Sequence, residues 1–556
     1  MKEEARVHRT LRPAITFYVL RFTLLIGFAP TPLFALINAE IDTMLAEMTI
    51  EEKVGQLMMV GFDGTKISKE IRTHIGQRLV GGVVLFGRNI QSPQQVACLT
   101  NALQQLAQAT RSQIPLLIAT DQEGGLVTRM KKNATVLPGN MALGATGSAR
   151  LAERAGEITA IELAAVGINM NFAPVMDVNN NSSNPVIDRR SFGEAPELVS
   201  RLGLAYIRGL QRNGVLATGK HFPGHGDTTV DSHTDLPTVR HDWKRIETIE
   251  LKPFRAAIDA DVAAIMTAHI VYPAFDANHP ATLSPAILTD LLRKKLRFEG
   301  LIITDDIEMK AIGDRYHAGE TAVMAIEAGA DIVLILWTPA KQIEVYKALL
   351  AAAKSGRISS ARLDRSVERI LKSKQICGAF DRRSVDVDAV ASIVGQEPHK
   401  QLAQTIASQA ITVVQDRNHL VPLKLRKETS VLVLSSSSTL YNLFRSRHVN
   451  STDVRIPGKP DMKQLLSQLT FQADSVDVVI AGITNNQQAD LIQQMSKATK
   501  TPVIVIALGS PYALRRCPTV SASLAAYDGH YASVLASVEV VLGQSEATGK
   551  LPITIP

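Results

Sequence analysis

The chain lacks the features that mark specialised architectures. It has only three cysteines in 556 residues, Cys98, Cys377 and Cys517. They lie too far apart for a disulfide framework or a paired-thiol metal knuckle. No dense lysine–arginine run occurs, and 60 basic against 53 acidic residues leave a net charge of +7. Spread over this length, that charge is too dilute to point to nucleic acid. There is no internal repeat and no low-complexity tract; 35 glycines and 25 prolines are ordinary numbers here. Beyond the amino terminus no apolar run is a candidate membrane span. What remains is globular, with 46% hydrophobic and 20% charged residues. A disordered chain, a coiled coil and a collagen-like fibre are excluded, and the length predicts about two to four domains.

Residues 1–39 differ from the rest. Lys2, Arg6, Arg9, Arg12 and Arg21 make a basic start, and residues 22–37 are apolar but broken by Pro30 and Pro32. Ile37-Asn38-Ala39 offers small-residue cleavage before Glu40. The segment reads as a signal peptide, with an uncleaved anchor or a misassigned start codon as alternatives. Export to the periplasm, the cell wall or the outside is the expectation, with no membrane span left after cleavage.

Thr49-Ile50-Glu51-Glu52 has the spacing of a helix capping box. After it, short apolar runs alternate with helical patterns. Strands are predicted at 54–60, 83–86, 116–119, 168–172, 215–219, 263–267, 301–304 and 332–336, with helices at 148–166, 196–212, 285–296 and 322–328 between them. Continuous apolar strands alternating with amphipathic helices indicate a covered parallel sheet. Eight such units predict an α/β fold, a (β/α)₈ TIM-type barrel over 40–385, with a doubly wound open sheet as runner-up. Residues 386–410 read as a linker with a connecting helix. A smaller α/β sandwich domain is predicted over 411–556, with strands at 411–414, 431–434, 476–480, 503–508, 523–526 and 553–555 and helices at 462–469 and 489–498.

In such a barrel the carboxyl ends of the strands carry the chemistry. Here they carry Asp121-Gln122-Glu123-Gly124-Gly125 after strand three. Asp177 and Asp188-Arg189-Arg190-Ser191-Phe192 follow strand four, and Lys220-His221-Phe222-Pro223-Gly224-His225-Gly226-Asp227 then Asp231-Ser232-His233 follow strand five. His269 ends strand six, and Asp305-Asp306 end strand seven. One aspartate after a strand is often only a helix cap. The segment 220–233 is different: three histidines, two aspartates and a lysine among glycines are costly to bury without purpose. A metal site from His221, His225, Asp227, Asp231 and His233 ranks second to metal-free chemistry, because neither a paired-histidine strand nor an HExxH helix is present.

These residues resemble a known signature. Lys220 to Asp227 followed by Asp231-Ser232-His233 closely resembles family 3 glycoside hydrolases of the β-N-acetylglucosaminidase branch. Ala119 to Gly125, Asn184-Pro185-Val186-Ile187-Asp188-Arg189-Arg190-Ser191-Phe192-Gly193, Ile303 to Met309 and the tail Gly549 to Pro556 support it. The resemblance covers nearly all of the chain after residue 40. It implies that Asp305 is a nucleophile forming a covalent glycosyl-enzyme, with net retention. Asp306 receives a supporting role, pointing away if strand alternation holds. The resemblance implies that His233, oriented by Asp231, is the acid/base, a role suited to an imidazole near neutrality. Asp121, Arg190, Lys220 and His221 are implied as sugar-binding residues, with His269 and Asp177 near the pocket. Asp188 stands where a glycine is common in this motif.

The expected function is that of an exported, metal-independent, cofactor-free retaining exo-β-N-acetylglucosaminidase (a β-N-acetylhexosaminidase). Its carbohydrate substrate would be terminal N-acetylglucosamine on muropeptide or chitin-derived glycans. A β-glucosidase or β-xylosidase of the same family takes its acid/base carboxylate from the second domain, where Asp528, Glu539 and Glu546 are the candidates by default. A phosphorylase and a non-catalytic carbohydrate-binding protein are the remaining alternatives.

Overall fold

The computed structural model describes residues 32–459 and 461–555. The chain divides into two units, with the boundary at Glu47. In the first, the described residues form a helix, Pro32–Glu47. The expected signal peptide lies largely outside the described residues, and its expected cleavage point, Ala39, lies in this helix. No helix among the described residues is long and apolar enough to cross a membrane.

The second unit opens with the predicted capping box. The Thr49 side chain accepts from the Glu52 backbone N–H, and the Glu52 carboxylate accepts from Thr49 N at 2.9 Å. The helix so capped, Ile50–Gln56, runs almost into the first strand. Eight strands then close a barrel: β1 Met58–Val60, β2 Gly82–Leu85, β3 Leu117–Thr120, β4 Met170–Asn171, β5 Leu216–Phe222, β6 Ala264–Thr267, β7 Leu301–Asp306 and β8 Ile332–Ile335. Every neighbouring pair is parallel, and β1 pairs with β8 to close the ring. Nearly every strand residue is buried, as expected of strands packed both inside and outside. The barrel is the architecture predicted, and the open-sheet runner-up is set aside. One strand is corrected. Residues 54–56 belong to the preceding helix, so β1 is three residues long.

A short helix, Val390–Ile393, and a longer one, Glu397–Ala410, lead to the second sheet. Its strands are β9 Thr412–Asp416, β10 Val431–Ser435, β11 Ser451–Arg455, β12 Val478–Ile483, β13 Val503–Ala507 and β14 Ala522–Ala525. They run in the order β9-β14-β13-β12-β10-β11, with only β9 antiparallel to its neighbour. Two differences from expectation stand out. β11 was not predicted, because its residues Ser-Thr-Asp-Val-Arg carry no apolar pattern. Residues 553–555 form no strand; Ile553 is buried in the core, but as irregular chain. Both faces of this sheet are covered. One core includes Met141, Ala142 and Ala145 of the barrel helix Asn140–Thr146, so barrel and sandwich share an apolar seam.

Candidate active site

A cavity of about 240 Å³ opens at the carboxyl ends of the barrel strands. Asp121, Arg190, Lys220, His221, His233 and Asp305 all line it. The sequence-predicted binding and catalytic side chains therefore converge, apart from Asp231, Asp177 and His269, which stand directly behind lining residues.

The floor is a charged cluster held by a hairpin and β5. After β3 the chain turns through Gln122–Gly124, which pairs with Val127–Thr128. The turn requires glycine. Gly125 has φ +55°, and a Cβ there would lie 2.8 Å from Gly139 Cα. Gln122 N–H donates to Asn171 Oδ1 at 2.9 Å, tying the hairpin to β4. Glu123 is thereby aimed at two cations. Arg190 grips it with Nε at 3.0 Å and Nη2 at 2.8 Å, and Lys220 Nζ lies 2.7 Å from the same carboxylate. Lys220 also donates to Asp121 Oδ1 at 2.8 Å, and Arg129 approaches Asp121 Oδ2 at 3.5 Å. Burial disfavours the charge on Glu123, but Arg190 and Lys220 outweigh it and hold the carboxyl far below its ordinary range. The same balance raises Arg190 and Lys220: burial opposes both charges, and Glu123 and Asp121 restore them.

Asp177 anchors the strand-five motif. It is fully buried, bonds His221 Nδ1 at 2.7 Å through Oδ2, and accepts from the backbone N–H groups of His221 and His225 through Oδ1 at 3.1 and 2.6 Å. The carboxylate acceptor puts the His221 proton on Nδ1. His225 is buried, and burial together with His221 pushes its pKa down to about 4. Its two nitrogens meet hydroxyls, Thr228 Oγ1 at 2.9 Å and Ser232 Oγ at 3.0 Å. Gly226 is needed here, since a Cβ would lie 1.7 Å from Val178 O. The Asn184 amide clamps the same turn through the carbonyls of His225 and Gly226 at 2.8 and 2.9 Å.

The loop beyond carries His233, well exposed, with Nδ1 2.7 Å from Asp231 Oδ1. The same oxygen accepts from His233 N–H at 2.9 Å. Burial works against the Asp231 charge, yet these two bonds lower its pKa. With Nδ1–H bound to a carboxylate, Nε2 is the nitrogen left for proton exchange.

At the end of β7, Asp305 accepts from Asp306 N–H at 2.8 Å. Burial opposes its ionisation, but the imidazoles of His269, His221 and His233 prevail and lower its pKa. Asp306 departs from expectation: it too lines the cavity. The β7–β8 register shifts between Ile303 and Asp306, which breaks the simple alternation. Burial, then Glu308 and Asp305, raise its pKa to about 7. His269 bonds Thr282 Oγ1 through Nδ1 at 2.7 Å, and its Nε2–H donates to Asp306 O at 3.0 Å.

The histidines of the metal alternative are thus engaged by Asp177, Thr228, Ser232 and Asp231. Asp227 stands apart with His241 and Glu250, the one such cluster among the described residues. The Arg245 guanidinium already contacts both carboxylates there, at 3.5 and 3.3 Å. Lining residues that sequence reasoning missed as site members include Glu123, Arg129 and Trp337. Glu123 lies in the motif that follows strand three, but its partners Arg190 and Lys220 are far away in sequence.

The second domain supports this site from behind. Ser510 donates to Asp188 Oδ1 at 2.8 Å, Asn179 Nδ2 donates to Tyr512 OH at 3.1 Å, and His530 Nε2 bonds Gly125 O at 2.9 Å. Asp188 has φ +41°, a left-handed conformation that glycine would adopt without strain. Among the described residues, none beyond Trp337 lines the cavity.

A parallel barrel that gathers carboxylates, imidazoles and cations around one cavity at its strand ends is the architecture of a barrel enzyme. Comparison makes the class specific. The Glycosyl hydrolase family 3 N terminal domain matches residues 49–373, and the family 3 C-terminal domain matches residues 336–556. The chain is 33% identical to beta-hexosaminidase A of Pseudoalteromonas piscicida, covering 88% of this chain and 92% of that one. A family 3 β-N-acetylglucosaminidase structure from Paenibacillus sp. FPU-7 superposes with TM-score 0.86 at 40% identity, covering 91% and 99% of the two chains. A β-glucoside phosphorylase superposes with TM-score 0.80 at 25% identity, covering 93% and 96%. The chain belongs to glycosyl hydrolase family 3 and is a glycoside hydrolase.

Proposed function

We propose that this glycoside hydrolase is a retaining exo-β-N-acetylglucosaminidase that removes terminal N-acetylglucosamine from muropeptide or chitin-derived glycans. One observation carries the reading. Asp305, an ionised carboxylate, and His233, an imidazole held by Asp231, line the same cavity. The names of the relatives, a beta-hexosaminidase and a β-N-acetylglucosaminidase, support the sugar.

Asp121, Glu123, Arg190, Lys220 and His221 would hold the terminal sugar through its oxygens. Asp305 attacks the anomeric carbon while protonated His233 gives its Nε2 proton to the departing glycosidic oxygen. Asp231 stabilises that imidazolium and fixes its orientation. In the second half, neutral Nε2 takes a proton from water, whose oxygen displaces Asp305 from the anomeric carbon. Retention follows from two displacements. The basic and apolar amino terminus supports export, which fractionation of the native protein checks.

Two measurements test the reading. Mass spectrometry of protein trapped with a 2-acetamido-2-deoxy-5-fluoro glycosyl fluoride should show a sugar adduct on Asp305. A chromogenic N-acetylglucosaminide should be cleaved well ahead of the matching glucoside, and the reverse preference overturns the substrate class. Adding phosphate separates hydrolysis from phosphorolysis, since only the latter yields a sugar 1-phosphate.

A further inference from the structure

The cavity has two tiers. Its floor is closed: the side chains of Lys220 and Glu123 are each 2% exposed. Its rim is open: the His233 side chain is 59% exposed, and Trp337 is 53% exposed.

Trp337 follows β8 and is fixed from several sides. Its backbone N–H donates to Glu308 Oε2 at 2.7 Å. The Arg88 guanidinium carbon lies 4.0 Å from its ring centroid, and the Phe86 ring stands 5.1 Å away at 33°. Arg88 is itself pinned, donating to the carbonyls of Phe62 at 2.9 Å and Leu336 at 2.8 Å. With a guanidinium over one face, the exposed area of the indole belongs to its other face and outer edge. The ring is a rigid, half-open plate at the mouth of the cavity.

We infer that Trp337 is the stacking platform for the leaving-group sugar, the pyranose ring on the far side of the scissile bond. This deepens the exo-N-acetylglucosaminidase reading and rests on it. The argument is one of level. The charged floor suits the hydroxyls of one sugar and is closed below. His233 must reach the glycosidic oxygen, so the bond that breaks lies at the height of the rim. The next sugar therefore lies beyond the floor, at the height where Trp337 stands open. A pyranose presents a face of C–H groups, which matches the electron-rich face of an aromatic ring. Phe86 and Arg88 hold the ring in place before the substrate arrives, so little ordering is left for binding.

The test compares wild type, Trp337→Ala and Trp337→Phe on two substrates. One is a β-1,4-linked N-acetylglucosamine disaccharide; the other is the methyl glycoside of the same sugar, which has no second ring. The ratio of kcat/KM for disaccharide over methyl glycoside should fall about tenfold in Trp337→Ala. The loss should be carried mainly by KM, and Trp337→Phe should restore most of the ratio. An unchanged ratio, with wild type active on both substrates, overturns the platform alone. Wild type inactive on both, while a glucoside is cleaved, overturns the function reading and the platform with it.

Discussion

The floor of the cavity and the loop at its rim do opposite things with charge. On the floor, Glu123, Arg190, Lys220 and Asp121 neutralise one another within hydrogen-bond distance, out of water. At the rim, Asp231 and His233 form a single pair, the imidazole well exposed and the carboxylate partly buried. A buried cluster of this kind is rigid, because breaking any pair strands a charge in a poor dielectric. An exposed pair can exchange protons and move at little cost. The division is sensible for a glycosidase: a sugar must be held in one pose, while a proton must be gained and lost each turnover.

The largest expected effects break this comparison cleanly. With His233 in the proposed acid/base role, His233→Ala should lower kcat about 10²–10⁴-fold, the usual contribution of such a group. Its folding stability should stay within about 0.5 kcal/mol of wild type, since the side chain lies in solvent. Kinetics and denaturant unfolding on the same preparation check both halves. Glu123→Ala should do the reverse in stability, destabilising the protein by about 3–5 kcal/mol by leaving Arg190 and Lys220 unpaired and buried. If Glu123→Ala unfolds no more easily than His233→Ala, the floor is not the rigid element described.

The same contrast explains what could be read from sequence. The barrel was legible because parallel, doubly covered strands are continuous apolar runs, and because the chemistry-bearing residues fell at their carboxyl ends. The apolar run at 54–60 overstates β1, because Val54 and Leu57 are buried whether the segment is helix or strand. β11 was invisible because an edge strand such as Ser451–Arg455, buried only in part, needs no apolar pattern. The Asp231–His233 pair is local in sequence and showed itself. The floor is not local: Glu123 meets Arg190 across 67 positions, so its role appears only once the chain is folded. Trp337 carried no motif at all, and only its place at the cavity mouth distinguishes it.

Asp306 sharpens the comparison through pH. In the unfolded chain its carboxyl ionises near its ordinary value of 3.8, whereas in the fold it holds its proton to about 7. Between those values the unfolded state has lost a proton that the folded state keeps. Stability from this residue therefore falls as pH rises through that window and levels off above it. Asp306→Asn removes the dependence. Relative to wild type, its melting temperature should gain progressively from about pH 4 to pH 7. Parallel curves for the two proteins would show that Asp306 is ionised in the fold.

The smallest effect concerns how the rim loop is held. Ser232, between Asp231 and His233, bonds the buried His225 through its hydroxyl at 3.0 Å, while its carbonyl accepts from Ala311 N–H at 3.3 Å. With its pKa pushed to about 4, His225 is neutral in ordinary buffers. It acts as a fixed clip and not as a second acid. Ser232→Ala removes the clip and spares the backbone contact, a loss of about 1 kcal/mol in loop positioning. That predicts a kcat about fivefold lower with KM little changed, because floor binding is untouched. The midpoints of the pH–rate profile should also stay in place, since the titrating pair is intact. A shifted profile would mean that His225 and Ser232 tune the proton on His233 as well as its position, and the separation between buried floor and exposed loop would then be less sharp than the geometry indicates.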